Sequence, residues 1–534
     1  MSANSRSGTR RVSKIIPIIP LALFLAAILY TGVQSIRLKW WIAPESVQLQ
    51  ELTADQKAAD MRYMLNLIGQ VSQADAVWQA AGLDSPLDQA DIWVERARLT
   101  RSNREFADLV LQLLVHAGQA GHAFLAYDLQ FNPTTSLVGN IPRDAFYKMP
   151  QWEKVIASLA WNAHSKLNPI YHNGQYVLKQ DVTLGEIFLP AGSIVESVNG
   201  LATDEFILQQ QYRAHLRFDP ALDKFFLYPL FMVDPGSNIS GWEVVFRLPN
   251  GNIESNMVAK YSGYVPHRPD ENRADNTRCL PLNEEVLYIK MLTFYREHAA
   301  QDATTLRKCF GMGNFQKVIF DVRGNNGGEI WSYMDNIIAP LIRQPLTFET
   351  VSAVKESFFK WYGWRFWLYQ AMTSNELTDP PAHVEQVKRI NYPLYSDQGW
   401  RVVKVTRTIQ PAAEPLSFDG SVYVLTDNNT LSAGDSFAAV MQRTGLAKIV
   451  GTNTAGWGQG YMAKMPCALP NSGLIFYLDS ELTLNPDGTL NNYRGVLPDV
   501  LLDSSTYPTP YPFQFNFASI KADPWVQWVI QDQP

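Results

Sequence analysis

Three short apolar runs constrain the fold more than any other feature: KVIFD (317–321), SVYVLTD (421–427) and AKIVG (447–451). Each is too short for a membrane span and too apolar for a surface strand, so each reads as a buried strand ending at a turn. Between the second and third lies AGDSFAAVMQRTG (433–445), with helical spacing and a glycine stop. Buried strands alternating with helices call for an α/β sheet with parallel elements, because parallel neighbours need crossover connections. EEVLYIKMLTF (284–294) supplies a further strand, and ATTLRKCFG (303–311) ends a helix at glycine.

The rest of the chain follows other periods. LTADQKAADMRYMLNLIGQV (52–71) and NREFADLVLQLLVHAG (103–118) repeat apolar residues every three or four positions, which predicts helices. From 165 to 265, β-like runs alternate with turn signals, and Asn250-Gly251 between alternating strands predicts a hairpin. RPDENRADNTR (268–278) is polar and turn-rich, as a linker would be. With 534 residues, 46% hydrophobic and 18% charged, the chain has material for several folded parts and is not intrinsically disordered.

The net charge of −6 hides a division. Residues 1–40 hold six basic residues and no acid, so the remainder carries −12. Within this basic region, Ile15–Val33 is uncharged, and nineteen residues at about 1.5 Å each give about 28 Å, close to a bilayer's hydrocarbon thickness. No small-residue cleavage site follows it, and Trp40 and Trp41 suit an interface. An uncleaved anchor is therefore favoured over a signal peptide. More basic residues precede the span than follow it, which keeps the N-terminus in the cytoplasm and puts the remainder outside it, in the periplasm of a bacterium. The acidic balance excludes a dedicated nucleic-acid binder.

Three cysteines exclude a disulfide scaffold and a four-cysteine zinc site. Cys279 and Cys309 bracket a helical stretch and could be bridged, leaving Cys467 free; three buried thiols are the alternative. No H-x-x-x-H spacing signals a metal, and no cofactor is expected. Residues 358–369 crowd eight aromatics into an insertion at 350–416, read either as a substrate or membrane lip or as packing over the sheet.

Three stretches carry chemistry. FDVRGNNGGEIW (320–331) is a strand entering a glycine-rich turn, where backbone N–H groups can face an oxyanion or a phosphate. Ser432 stands before a helix, either as a nucleophile or as an ordinary N-cap; Ser436 one turn on reads as structural. His122 follows a helix and a glycine in AGQAGHAFLAYD.

Together these stretches resemble the tail-specific, or C-terminal-processing, serine peptidases and their tricorn-like relatives. FDVRGNNGG is similar to their D-L-R-x-N-x-G-G turn. LSAGDSFA with IVGTNTAGWGQG is similar to their S-A-S-E helix and following loop, and YRGVLPDVLLD to their closing G-V-x-P-D segment. LPAGSIVESVNGLATDEF resembles their PDZ-like domain. The resemblance implies a fold with an α/β, Clp-protease- or crotonase-like core. Around it stand a membrane anchor (1–36), a helical region (37–164), a PDZ-like domain (165–268), a peptidase domain (279–515) and a C-terminal tail (516–534). The family's Ser-Lys type has Lys 25 residues after the nucleophile; that position is Trp457, and Lys448 and Lys464 stand at other offsets. GHAF resembles the G-H-T-like motif of the Ser-His type, so His122 is implied as the general base for Ser432. The family's third member, a Glu, falls at Asn492, with Glu481 as a substitute; its S-E pair becomes Gly434-Asp435. Ala433 with Gly327 or Gly328 would form the oxyanion hole. The implied function is an anchored extracytoplasmic serine endopeptidase acting on protein or peptide. The departures at Trp457 and Asn492 raise a non-catalytic binding relative as the alternative, with an esterase of small acyl substrates as a third.

Overall fold

The computed structural model describes residues 47–126, 133–159, 164–165, 167, 169–231, 240–261, 276–365, 383–458, 460, 464–502 and 520–532. The expected span 15–33, most of the linker and the aromatics Phe366, Trp367 and Tyr369 lie outside them. Among the described residues, no helix is long and apolar enough to cross a membrane.

The three apolar runs form the centre of a six-stranded sheet. Its order is Thr277–Pro281, Val286–Met291, Lys317–Asp321, Ser421–Thr426, Lys448–Gly451 and Val500–Leu501. The first pair is antiparallel and all later neighbours are parallel. Both faces are covered, which is why the strands read as continuous apolar runs. Leu287, Ile289, Phe320 and Val424 pack with Phe437 and Met441 on one face. Tyr288, Ile319, Tyr423 and Val450 pack with Trp525 and Val529 on the other.

That second cover corrects one expectation: the segment read as a tail contains the helix Pro524–Gln531, which closes the sheet. Asp523 caps the helix through Oδ1, which accepts from the Trp525 and Val526 amides at 2.8 and 3.3 Å. Its Oδ2 meets buried Arg323 at 2.9 Å. Arg323 also pairs with Asp321, which Lys290 approaches at 3.1 Å. Burial alone would raise the Asp321 carboxyl, but Arg323 and Lys290 overcome it and hold that carboxyl far below the usual range. The D-V-R of the glycine-rich turn is thus a buried charge network anchored to the C-terminal helix.

The aromatic insertion becomes an antiparallel arm. Strands His383–Ile390, Trp400–Ile409, Leu346–Lys355 and Glu481–Leu484 form one sheet. The intervening helix Glu356–Tyr362 buries Phe358 and Tyr362, and Trp361 lies edge-on to Tyr63 of helix Ala54–Val71. The described part of the insertion therefore packs, although Trp364 is exposed.

The N-terminal region is helical, and Thr53 and Gln56 form a capping box on its first described helix. Residues 165–261 are β-rich, with strands Gly241–Arg247 and Ile253–Tyr261 paired across the Asn250-Gly251 turn. One core joins these parts: Met61, Leu113, Val195, Trp242, Ala353 and Phe476 belong to a single buried cluster. Cys279 and Cys309 are joined by a disulfide, and Cys467 is free and buried.

Candidate active site

Ser432 lies between the strand Ser421–Thr426 and the helix Ala433–Arg443. A mere N-cap would point its hydroxyl at the helix amides. Ser432 makes no such cap bond, and its backbone stands at φ 55°, ψ −123°. A positive φ in a non-glycine residue costs on the order of 1–3 kcal/mol and persists only where surroundings impose it. Here the Ser432 amide donates to the Gly456 carbonyl at 2.9 Å, and the Leu431 amide to that of Asn325 at 3.0 Å. Gly327, at φ 98°, completes the restraint; a Cβ there would lie 2.6 Å from the Ser432 Cβ.

The turned-out hydroxyl meets His122, whose Nε2 is 3.0 Å from Ser432 Oγ. His122 ends a turn that begins at helix Asn103–Gly118 and enters the short strand Phe124–Leu125. That strand pairs with Ile475–Leu478, which brings Asp479 beside His122. Asp479 Oδ2 accepts from the His122 amide at 2.7 Å and lies 3.0 Å from Nδ1. The preceding glycine is required: a Cβ at Gly121 would sit 2.4 Å from the same oxygen. With Nδ1–H donated to Asp479, Nε2 is left to accept the Ser432 O–H. Burial pushes the Asp479 carboxyl up, but His122 and Lys464 outweigh it and hold it below the ordinary carboxylate range.

The third partner of the ring is therefore Asp479, not Asn492 or Glu481. Asn492 Nδ2 donates to the Ala120 carbonyl at 2.9 Å and its Oδ1 accepts from the Thr483 amide, also at 2.9 Å. It anchors the His122 turn without reaching the ring. Glu481 is buried in the strand Glu481–Leu484, opposite Val354. Asp479 does carry a signal in the sequence: it is an acid closing the apolar run IFYLD, two residues before Glu481.

Among the described residues, the amides of Ala433 and Gly328 have no hydrogen-bond acceptor. The Gly327 amide is already donated to Asn325 Oδ1 at 2.9 Å. Of the two candidate glycines, Gly328 thus has the available N–H, and Gly327 serves by lacking a side chain. Asp435, where the resemblance placed Glu, is buried and accepts from Thr454 Oγ1 and Asn491 Nδ2, fixing the helix to the Thr454 loop and to the short helix Asn491–Arg494. Ser436 pairs with the Tyr333 hydroxyl at 2.7 Å. Among the described residues, no group of His, Cys, Asp and Glu is placed to hold a metal ion.

The arrangement can activate a hydroxyl, orient its base and receive a developing oxyanion. Residues 285–502 match the family model described as Peptidase family S41. Mature CPAF is similar in structure, at 14% identity and TM-score 0.51, over 90% of this chain and 96% of that one. CPAF complexed with lactacystin gives 14% and 0.50, over 90% and 97%. The photosystem II D1 C-terminal processing protease gives 14% and 0.39, over 86% and 96%. No curated protein matches the chain.

Proposed function

We propose that this chain, a tail-specific peptidase of family S41 through its residues 285–502, hydrolyses peptide bonds by a Ser432–His122–Asp479 mechanism. Ser432 Oγ attacks the scissile carbonyl carbon while His122 Nε2 takes its proton. Asp479 holds the imidazolium, and the Ala433 and Gly328 amides receive the oxyanion. The C–N bond breaks as His122 returns the proton to the leaving amine. Water, activated by the same ring, then hydrolyses the acyl-enzyme and restores Ser432.

The observation that carries this reading is the pair of 3.0 Å contacts on one imidazole, Ser432 Oγ on Nε2 and Asp479 Oδ2 on Nδ1. A fluorophosphonate probe tests it: wild type should be labelled, and Ser432→Ala and His122→Ala should not. Unlabelled wild type would sink the mechanism and return the chain to a peptide-binding role. An esterase would be labelled yet leave peptides uncut.

The proposal extends to location. Ile15–Val33 would anchor the chain with its N-terminus inside, and the Cys279–Cys309 disulfide supports an oxidising, extracytoplasmic compartment. Residues 165–261 would act as a PDZ-like module holding extended peptide. Digestion of the peptidase region by protease added to intact spheroplasts is the expected result; full protection would refute this orientation.

A further inference from the structure

We propose that Trp457 is a positioning residue for His122 and that His215 keeps Trp457 in place; this rests on the Ser432–His122 reading. The indole stands edge-on to both imidazoles, 5.8 Å and 61° from His122 and 5.1 Å and 71° from His215.

His122 needs such a contact. Its two ring hydrogen bonds, through Nδ1 and Nε2, hold the imidazole only at its nitrogens and leave its faces and carbon edge to be held by packing. A rotation of the side chain about χ1 or χ2 would carry Nε2 and its lone pair off Ser432. An aromatic neighbour packed against the ring blocks that motion.

Trp457 is suited to the task because its backbone belongs to the nucleophile's surroundings. It stands at φ 66°, beside Gly456, whose carbonyl accepts the Ser432 amide. On its other side, a Cβ at Gly458 would lie 2.5 Å from the Ser432 carbonyl oxygen. A shift of Ser432 therefore moves Trp457, and through it the base.

His215 comes from the β-rich region but is fixed to the His122 turn. Gln119 Nε2 donates to the Gln211 and Ala214 carbonyls at 2.9 and 2.6 Å, and its Oε1 accepts from the Leu216 amide at 2.9 Å. These bonds bracket His215 on both sides. Gly118 comes so close that a Cβ there would lie 2.6 Å from His215 Cε1. The contacts close a circuit: the 118–122 turn holds His215, His215 meets Trp457, and Trp457 meets His122.

A half-exposed indole beside a nucleophile could instead line a peptide subsite. The full chain and its variants distinguish the two roles with a fluorophosphonate probe and quenched fluorescent casein. The probe needs Ser432 and His122 aligned but makes no peptide contacts. Trp457→Ala should slow both labelling and kcat by about 10²-fold, with KM changed by less than about threefold. Trp457→Phe, which restores a ring edge, should recover most of the loss, and His215→Ala should slow labelling by about 10-fold. Unchanged labelling with a raised KM would overturn the proposal in favour of a subsite. If Trp457→Ala does not fold, the other two variants decide: wild-type labelling in His215→Ala, or labelling abolished in a folded Trp457→Phe, overturns it. Unlabelled wild type is a separate result, which would refute the Ser–His mechanism itself.

Discussion

The two halves of the candidate site are built in opposite ways. The nucleophile half is local: strand, turn and helix deliver Ser432 and the Ala433 amide within a dozen residues, and Gly327 fits against them. The base half is assembled over distance. His122 and Asp479 are 357 positions apart and meet only because the strand Phe124–Leu125 pairs with Ile475–Leu478. A local half stores its geometry in backbone strain, whereas a distant half depends on packing between regions. The two should therefore fail differently.

Asp479→Asn should do the greatest damage, lowering kcat by about 10⁴-fold, because an amide favours the wrong imidazole tautomer. Steady-state hydrolysis on a variant of unchanged Tm checks this, and a loss under tenfold would dissociate Asp479 from the base. Acid should come next, acting on the packing behind His122. His116 is stacked on Trp78 at 4.5 Å, and burial lowers its pKa to about 4 despite hydrogen bonds to Asp84 and Gln211. Above about pH 6.5 neither the folded nor the unfolded chain is protonated there. As pH falls towards 4 the unfolded chain takes the proton first, so folding should lose about 3 kcal/mol. Denaturant titrations at pH 7 and pH 4.5 should show the loss, and His116→Phe should reduce it.

On the local side, Gly327→Ala puts a Cβ 2.6 Å from the Ser432 Cβ at a positive φ and should lower kcat on the order of 10²-fold with only a modest fall in Tm. A large fall in Tm would mean that the strained turn supports the fold as well as the site. The smallest effect should come from Asn492→Ala. It releases the Ala120 carbonyl but not the ring, so a loss of about tenfold or less in kcat is expected.

The same division explains what could be read from the chain. The glycine turn and the parallel strands were legible because each is a contiguous pattern with its own physical reason, whereas Ser432 read equally as an N-cap until the family resemblance singled it out. His122 was legible only through its Gly-His motif, whose purpose appears once the Asp479 oxygen is seen 2.4 Å from where a Gly121 Cβ would lie. Asp479 was missed because strand register, not spacing, selects it over Glu481. The helix Pro524–Gln531 was missed because eight residues carry too little periodicity, and its apolar face makes sense only against the sheet.

The bond between Arg323 and Asp523 has a consequence for the order of events on the ribosome. The arginine of the glycine-rich turn is synthesised 200 positions before the carboxylate that completes its surroundings. Throughout that interval the turn beside Ser432 lacks its closing helix, and one side of the sheet lies open to water. A nascent chain would thus carry Ser432 and His122 before the frame that steadies the turn beside them, and a settled site would wait for the helix Pro524–Gln531 to emerge.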